Sequence, residues 1–105
     1  MFSGGDYDEV GRWLANFVLS HAKREHPRIE AVMQAEGPRE GRSYGVRLRL
    51  GERVLPPPGA EPVELAFAEV RDQRGAMAWC QALAARVRGL ARELGQQEQG
   101  ARRSA

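Results

Sequence analysis

The sequence predicts a two-layer α+β domain with the order helix, strand, strand, strand, helix. Two segments, residues 6–25 and 73–94, repeat apolar residues every three or four positions, which is typical of amphipathic helices. Between them apolar and polar residues alternate, which is typical of strands with one buried face. A three-stranded antiparallel sheet needs one covered face, and each helix has one apolar stripe to bury. We therefore expect both helices on the same face of the sheet.

The first predicted helix covers residues 6–25. Asp8 and Glu9 lie near its start, where the helix dipole favours negative charge, and Lys23 lies in its last turn. Pro27 is expected to end it. Its apolar stripe consists of Val10, Trp13, Leu14, Phe17, Val18 and His21.

Strands are predicted at residues 28–36, 43–50 and 63–70. Residues 51–62 are predicted as a loop, because the prolines there have no N–H to donate to a ladder. The residues of the middle strand expected to face the core are Tyr44, Val46, Leu48 and Leu50. In a simple antiparallel register, Arg49 would lie opposite Glu64 as a charge pair on the open face.

The second predicted helix covers residues 73–94 and ends at Gly95, since glycine is the common residue just past a helix end. Residues 1–95 are therefore expected to form one domain. Residues 96–105 have no apolar anchor, and we expect them to form a disordered tail.

Several classes of function lack support in the sequence. A single cysteine, Cys80, and two histidines cannot supply the four ligands of a structural zinc site, and nothing indicates a cofactor. There is no phosphate-binding glycine loop with its lysine, no nucleophile elbow and no carboxylate pair suited to acid–base work, so we expect no catalytic activity. No apolar run is long enough for a membrane span and no signal peptide opens the chain, so we expect a cytoplasmic protein.

The stretch from residue 27 to residue 51 resembles part of the double-stranded-RNA-binding domain. In that family a loop with Gly-Pro joins the first two strands, as Gly37-Pro38 does here, and an alternating strand follows. The resemblance implies the same order of helices and strands, and a loop that enters an RNA minor groove with Arg39. Where the family has a run of lysines at the second helix, this chain reads "DQRGAMAWCQ", so only Arg74 carries over.

Positive charge gathers in two segments, although the formal net charge is only +2. Residues 41–55 hold four bases and one acid, and residues 73–105 hold six bases and two acids. A basic patch of this kind predicts nucleic-acid binding, with duplex RNA as the most specific possibility. An alternative interpretation is a solvated helix face in an arginine-rich chain. The residues predicted to contact phosphates are Arg39, Arg42, Arg74, Arg88 and Arg92.

A second hypothesis is a homodimeric protein-interaction or chaperone-like domain. A small sheet with one uncovered face and exposed edges tends to pair with other chains. The residues expected to form this interface are Val32, Arg47, Arg49, Ala66 and Ala68. A small-molecule cleft ranks third, because the predicted inner faces lack polar groups.

Overall fold

In the computed structural model, the backbone is described for residues 3–104 and the side chains for residues 7–100. The predicted α+β fold is confirmed, with an antiparallel sheet and both long helices packed against one of its faces. The elements in chain order are α1 (Ser3–Glu25), β1 (Glu30–Gln34), a 3-10 turn (Gly37–Arg39), β2 (Ser43–Leu50), β3 (Arg53–Leu55), β4 (Val63–Ala66), α2 (Phe67–Gln73) and α3 (Met77–Ser104).

β2 is the central strand, and its two edges are paired differently. Along one edge it pairs with the whole of β1, in a register that sets Glu30 opposite Arg49. Along the other edge it pairs with β4 near its beginning and with β3 near its end. β3 and β4 therefore form one interrupted column, with the proline-rich residues 56–62 between its two pieces; the peptide bond from Leu55 to Pro56 is cis.

β3 corrects the prediction that residues 51–62 are entirely loop. Gly51 has a φ of 64°, a left-handed conformation that glycine adopts without steric cost. Together with Glu52 it forms a two-residue connection that returns the chain to β2, so that Arg53 lies opposite Leu50. The three prolines begin only after this short strand ends.

The third predicted strand, residues 63–70, is wrong beyond Ala66, because α2 begins at the next residue. The apolar spacing changes here from two to three, which favours a helix. The residues that show this change are Val63, Leu65, Phe67 and Val70. Ala68 therefore lies on α2 and is not on the open face of the sheet.

The predicted helix end at Gly95 is also wrong, because α3 continues to Ser104. A glycine inside a helix costs about 1 kcal/mol relative to alanine, which the good helix formers that follow can offset. The segment predicted as a disordered tail, residues 96–105, is thus helical as far as Ser104, and Ala105 lies outside the described residues.

The core lies between the helices and the inner face of the sheet. As predicted, the inward residues of β2 are buried: Tyr44, Val46, Leu48 and Leu50. The helices cover them with Val10, Leu14, Val18 and Ala22 from α1 and with Leu83, Val87, Ala91 and Leu94 from α3. The two helices run in the same direction, since contacts join Trp13 to Trp79 near one end and Glu25 to Arg92 near the other.

Candidate binding surfaces

Arg39 does not project from the loop between β1 and β2 but lies across the open face of the sheet. Its Nε donates to both carboxylate oxygens of Glu64, at 3.0 and 3.1 Å, and its Nη2 donates to one of them at 2.9 Å. Gly45 makes room for this arrangement, because a Cβ there would stand 2.9 Å from the Nε. The charge of Arg39 is therefore already paired within the chain.

Two other predicted phosphate-binding residues, Arg88 and Arg92, lie in the middle of α3, away from Arg39. Arg92 forms an ion pair with Glu25, with 3.1 Å between its Nη2 and the carboxylate. Arg88 is half-buried beside α1, and its Nε is buried without a hydrogen-bond partner. At a rise of about 1.5 Å per residue, Arg88 lies roughly 16 Å along the helix axis from Met77.

Arg42 and Arg74 are at the end of the domain where α1 begins. The carbonyl of Arg42 accepts a hydrogen bond from the N–H of Phe67, which ties the connection between β1 and β2 to the start of α2. Arg74 follows α2, and its charge lies near enough to Tyr44, the second residue of β2, to affect the pKa of that hydroxyl. Of the five predicted arginines, the structure thus groups Arg39, Arg42 and Arg74 at one end and sets the other two apart.

On the open sheet face, Arg49 pairs with Glu30 on β1. The predicted pairing of Arg49 with Glu64 is wrong, because the register of β4 with β2 sets Glu64 opposite Gly45. The residue opposite Arg49 on that side is Val54 of β3. The hydrogen bond from Arg49 is the main cause that lowers the pKa of Glu30.

Arg47 holds the proline-rich loop. Its guanidinium donates three hydrogen bonds to backbone carbonyls, at 2.8, 2.7 and 2.9 Å, and the acceptors are Pro56, Pro57 and Ala60. Val32 lies opposite Arg47 in the register and is half-buried, and Ala66 is exposed at the end of β4. The open face is therefore mainly a set of arginines with partners in the same chain.

Aromatic side chains fill the seam between α1 and α3. The rings of Trp13 and Phe17 stack with centroids 5.1 Å apart, and Trp79 lies 6.4 Å from Trp13. All three are half-buried, so they serve as packing at the edge of the core. Burial, followed by the positive charges of Arg24 and Arg88, lowers the pKa of His21 in the same seam.

On the opposite side of α1, an open groove of about 320 Å³ runs along the line where this helix meets β1. Its walls are small or apolar residues, namely Gly11 and Ala15 from α1, Met33 from β1 and Ala35 just after β1. Asp8 and Arg12 also line it, so the formal charges of its walls cancel. We call this the α1–β1 groove.

Two tyrosines form the base of the α1–β1 groove. Their rings stack with centroids 4.7 Å apart. Tyr7 Oη donates to the carbonyl of Ser43 at 2.6 Å, and Tyr44 Oη donates to the carbonyl of Tyr7 at 2.6 Å. Burial raises the pKa of both hydroxyls. Because the hydroxyls are engaged and neutral, these side chains offer the groove mainly ring surface.

β1 borders this groove with an unpaired edge. Among residues 3–104, β1 pairs with β2 and with no other strand. It reads "EAVMQ", without proline or lysine, and its only charge, Glu30, is paired with Arg49. Unpaired strand edges are usually protected by prolines or by unpaired charges such as lysine. Because β1 has neither, its edge is unusually open to another strand.

The sequence analysis missed the α1–β1 groove. Ala31 and Met33 lie on the inner face of the first strand, where both pack against the core. The available signal was the pair of small residues Gly11 and Ala15, four positions apart and off the apolar stripe of α1. Small residues at this spacing leave a shallow surface on one side of a helix. This surface becomes a groove only where a neighbouring strand forms the other wall.

Other kinds of site find little support in the described part of the chain. No group of three or more histidine, cysteine or acidic residues there is placed to hold a metal ion. None of the helices there is long and apolar enough to cross a membrane. No protein-family model, no curated protein and no solved structure matches this chain.

Proposed function

We propose that this chain is a non-catalytic protein-binding module that docks a segment of another protein beside β1. The observation that carries the proposal is the unpaired edge of β1 next to the apolar α1–β1 groove. An exposed strand edge supplies main-chain hydrogen bonds to a partner, and an adjacent apolar pocket supplies side-chain contacts.

The charges on the open sheet face give less support to a protein interface there. A partner that covered this face would have to bury the ion pairs of Arg39 and Arg49, and exposed pairs are costly to desolvate. The homodimer through Val32, Arg47, Arg49 and Ala66 therefore remains a weaker proposal than docking at the edge.

Duplex RNA is the second candidate partner, because Arg42 and Arg74 lie at the same end of the domain. Against this candidate, Arg39 and Arg92 would have to exchange Glu64 and Glu25 for phosphates. Counterion release favours phosphate binding only where bases are available to neutralise phosphates, and two of the five predicted bases are already paired.

A parallel binding experiment tests the proposal. Random linear peptides displayed on phage are selected against the wild-type protein and against Ala15→Phe, which narrows the α1–β1 groove from its helix side. Duplex RNA, duplex DNA and single-stranded RNA are titrated by fluorescence anisotropy at about 50 and 200 mM salt. We expect peptides that bind the wild type and not Ala15→Phe, with weak binding of every nucleic acid.

The opposite pattern would refute the proposal. Micromolar binding of duplex RNA that weakens strongly with salt, and that Arg42→Ala with Arg74→Ala abolishes, would assign the domain to RNA if no peptide is selected.

A further inference from the structure

We propose that the partner segment is an extended peptide with apolar side chains at alternate positions, which adds to the free edge of β1 as a new strand. This inference rests on the proposed function and names the occupant of the α1–β1 groove. The groove would receive the side chains on one side of the added strand, and the other side would remain in solvent.

The backbone of β1 sets the length of the added segment. β1 has five residues, and a strand rises about 3.4 Å per residue, so the free edge spans about 17 Å. Its outward N–H and C=O groups have no partner strand among residues 3–104. A peptide of five or so extended residues would satisfy these groups, as in other complexes formed by strand addition.

The groove sets the chemistry of the side chains. Side chains alternate between the two faces of a strand, so every second residue of the added strand would point to the side of α1. There it would meet Gly11 and Ala15 on the helix and Met33 on β1. Since Asp8 and Arg12 contribute one charge of each sign, charge complementarity favours an uncharged apolar peptide over an acidic or basic one.

A second copy of this chain is a poorer fit to the same edge. α1 packs against β1, so pairing of two β1 strands would also bring two α1 helices together. Paired strands lie about 4.8 Å apart, whereas packed helices need about 8–10 Å between their axes.

The test uses peptides of defined pattern. Capped, fluorescein-labelled peptides of about seven residues alternate serine with valine, leucine or phenylalanine, and the control peptides have the same composition with the apolar residues contiguous. Anisotropy gives the dissociation constant, and NMR hydrogen exchange of the bound protein reports which amides become protected. We expect alternating peptides to bind more tightly than their controls and to slow exchange at every second amide of residues 30–34.

Two variants on neighbouring positions of β1 serve as a matched pair. Met33 lines the groove, whereas Val32 points to the open face. We expect Met33→Lys, which places a charge in the groove, to weaken binding at least about tenfold. Val32→Lys adds the same charge to the edge strand but on its open face, and we expect it to weaken binding by no more than about threefold. Ala15→Phe, which leaves β1 unchanged, should reproduce the loss from the helix side, and circular dichroism checks that each variant is folded.

Each contrary result has a distinct meaning. If display selects peptides but the β1 amides stay unprotected, or if Val32→Lys is as harmful as Met33→Lys, this inference fails and the proposed function stands. If no peptide binds in either experiment, both fail. A dimer in sedimentation equilibrium that Met33→Lys dissociates would assign the edge to a second copy and overturn the peptide.

Discussion

The two edges of the sheet are built in opposite ways. The edge formed by β3 and β4 is broken into strands of three and four residues, with a proline-rich loop between them. The outer edge of β1 is continuous, and its residues after Glu30 carry neither charge nor proline. Short strands, prolines and irregular connections are common means of preventing unwanted strand pairing, and here they protect one edge only.

This difference indicates where the molecule can accept another chain. A long open edge on both sides would favour indiscriminate aggregation, whereas one protected edge and one open edge direct strand pairing to a single place. The α1–β1 groove beside the open edge adds side-chain selectivity to the backbone contacts.

The largest effect is expected from Arg47→Ala, which removes the three hydrogen bonds that hold the proline-rich loop. Hydrogen bonds from a charged donor contribute about 1.5–3 kcal/mol, so we expect the free energy of unfolding to fall by about that amount. Urea denaturation followed by circular dichroism measures the change. Arg47→Ala should also increase the rate of hydrogen exchange more in β3 and β4, on the protected edge, than in β1.

Arg49→Ala is the matched control, because Arg49 lies two residues along the same strand and on the same face. Its partner is the exposed carboxylate of Glu30, and exposed ion pairs contribute about 0–1 kcal/mol. Equal losses for the two variants would contradict the assignment of Arg47 as the residue that holds the loop.

A smaller effect is expected from Gly45→Ala, on the central strand beneath Arg39. The new Cβ would stand 2.9 Å from Arg39 Nε and 3.0 Å from Pro62 Cγ. Displacing these groups should cost about 1 kcal/mol, since crowding of a packed site is partly offset by the better strand propensity of alanine. In an Arg39→Ala background the cost should shrink, because one of the two crowded groups is gone. Identical costs in both backgrounds would show that Arg39 does not lie over Gly45.

The fold could be predicted from the sequence where apolar periodicity decides the structure. The alternation along β2 and the helical stripe of α1 each have a single arrangement that buries them, and both predictions are confirmed. The errors lie where local pattern is ambiguous. Residues 53–55 are too short for periodicity to indicate a strand, and Gly95 is equally compatible with a helix end and a helix interior.

The candidate site was much less predictable, because it depends on distant contacts. The ion pairs of Arg39 with Glu64 and of Arg92 with Glu25 join residues far apart in sequence, and the arginine count alone could not reveal them. Likewise, the α1–β1 groove exists only because α1 and β1 are neighbours in space. Alternation along a strand sets Val32 and Met33 on opposite faces, but it does not show which face borders a groove.

The smallest effect is expected in the acid titration of two carboxyls. Glu64 lies near the protected edge, and Glu30 lies on the open edge. Hydrogen bonds from Arg39 and then Ser43 lower the pKa of Glu64, and a hydrogen bond from Arg49 lowers that of Glu30. A carboxyl whose pKa is lower in the folded state stabilises the fold above its unfolded pKa of about 4.3, and this contribution is lost as the pH falls through the folded value.

Ser43→Ala separates the two carboxyls, because the Oγ of Ser43 donates to Glu64 at 2.5 Å and Glu30 lies on the other side of β2. We expect the pKa of Glu64 to rise towards its ordinary value while that of Glu30 stays unchanged, as measured by NMR titration of the side-chain carboxyl carbons. The loss of stability on acidification should then be smaller and should be complete at a slightly higher pH, because the folded pKa of Glu64 lies closer to its unfolded value. A shift of both carboxyls would mean that the two edges are electrostatically coupled through β2, and an unmoved Glu64 would leave Arg39 alone to account for its low pKa.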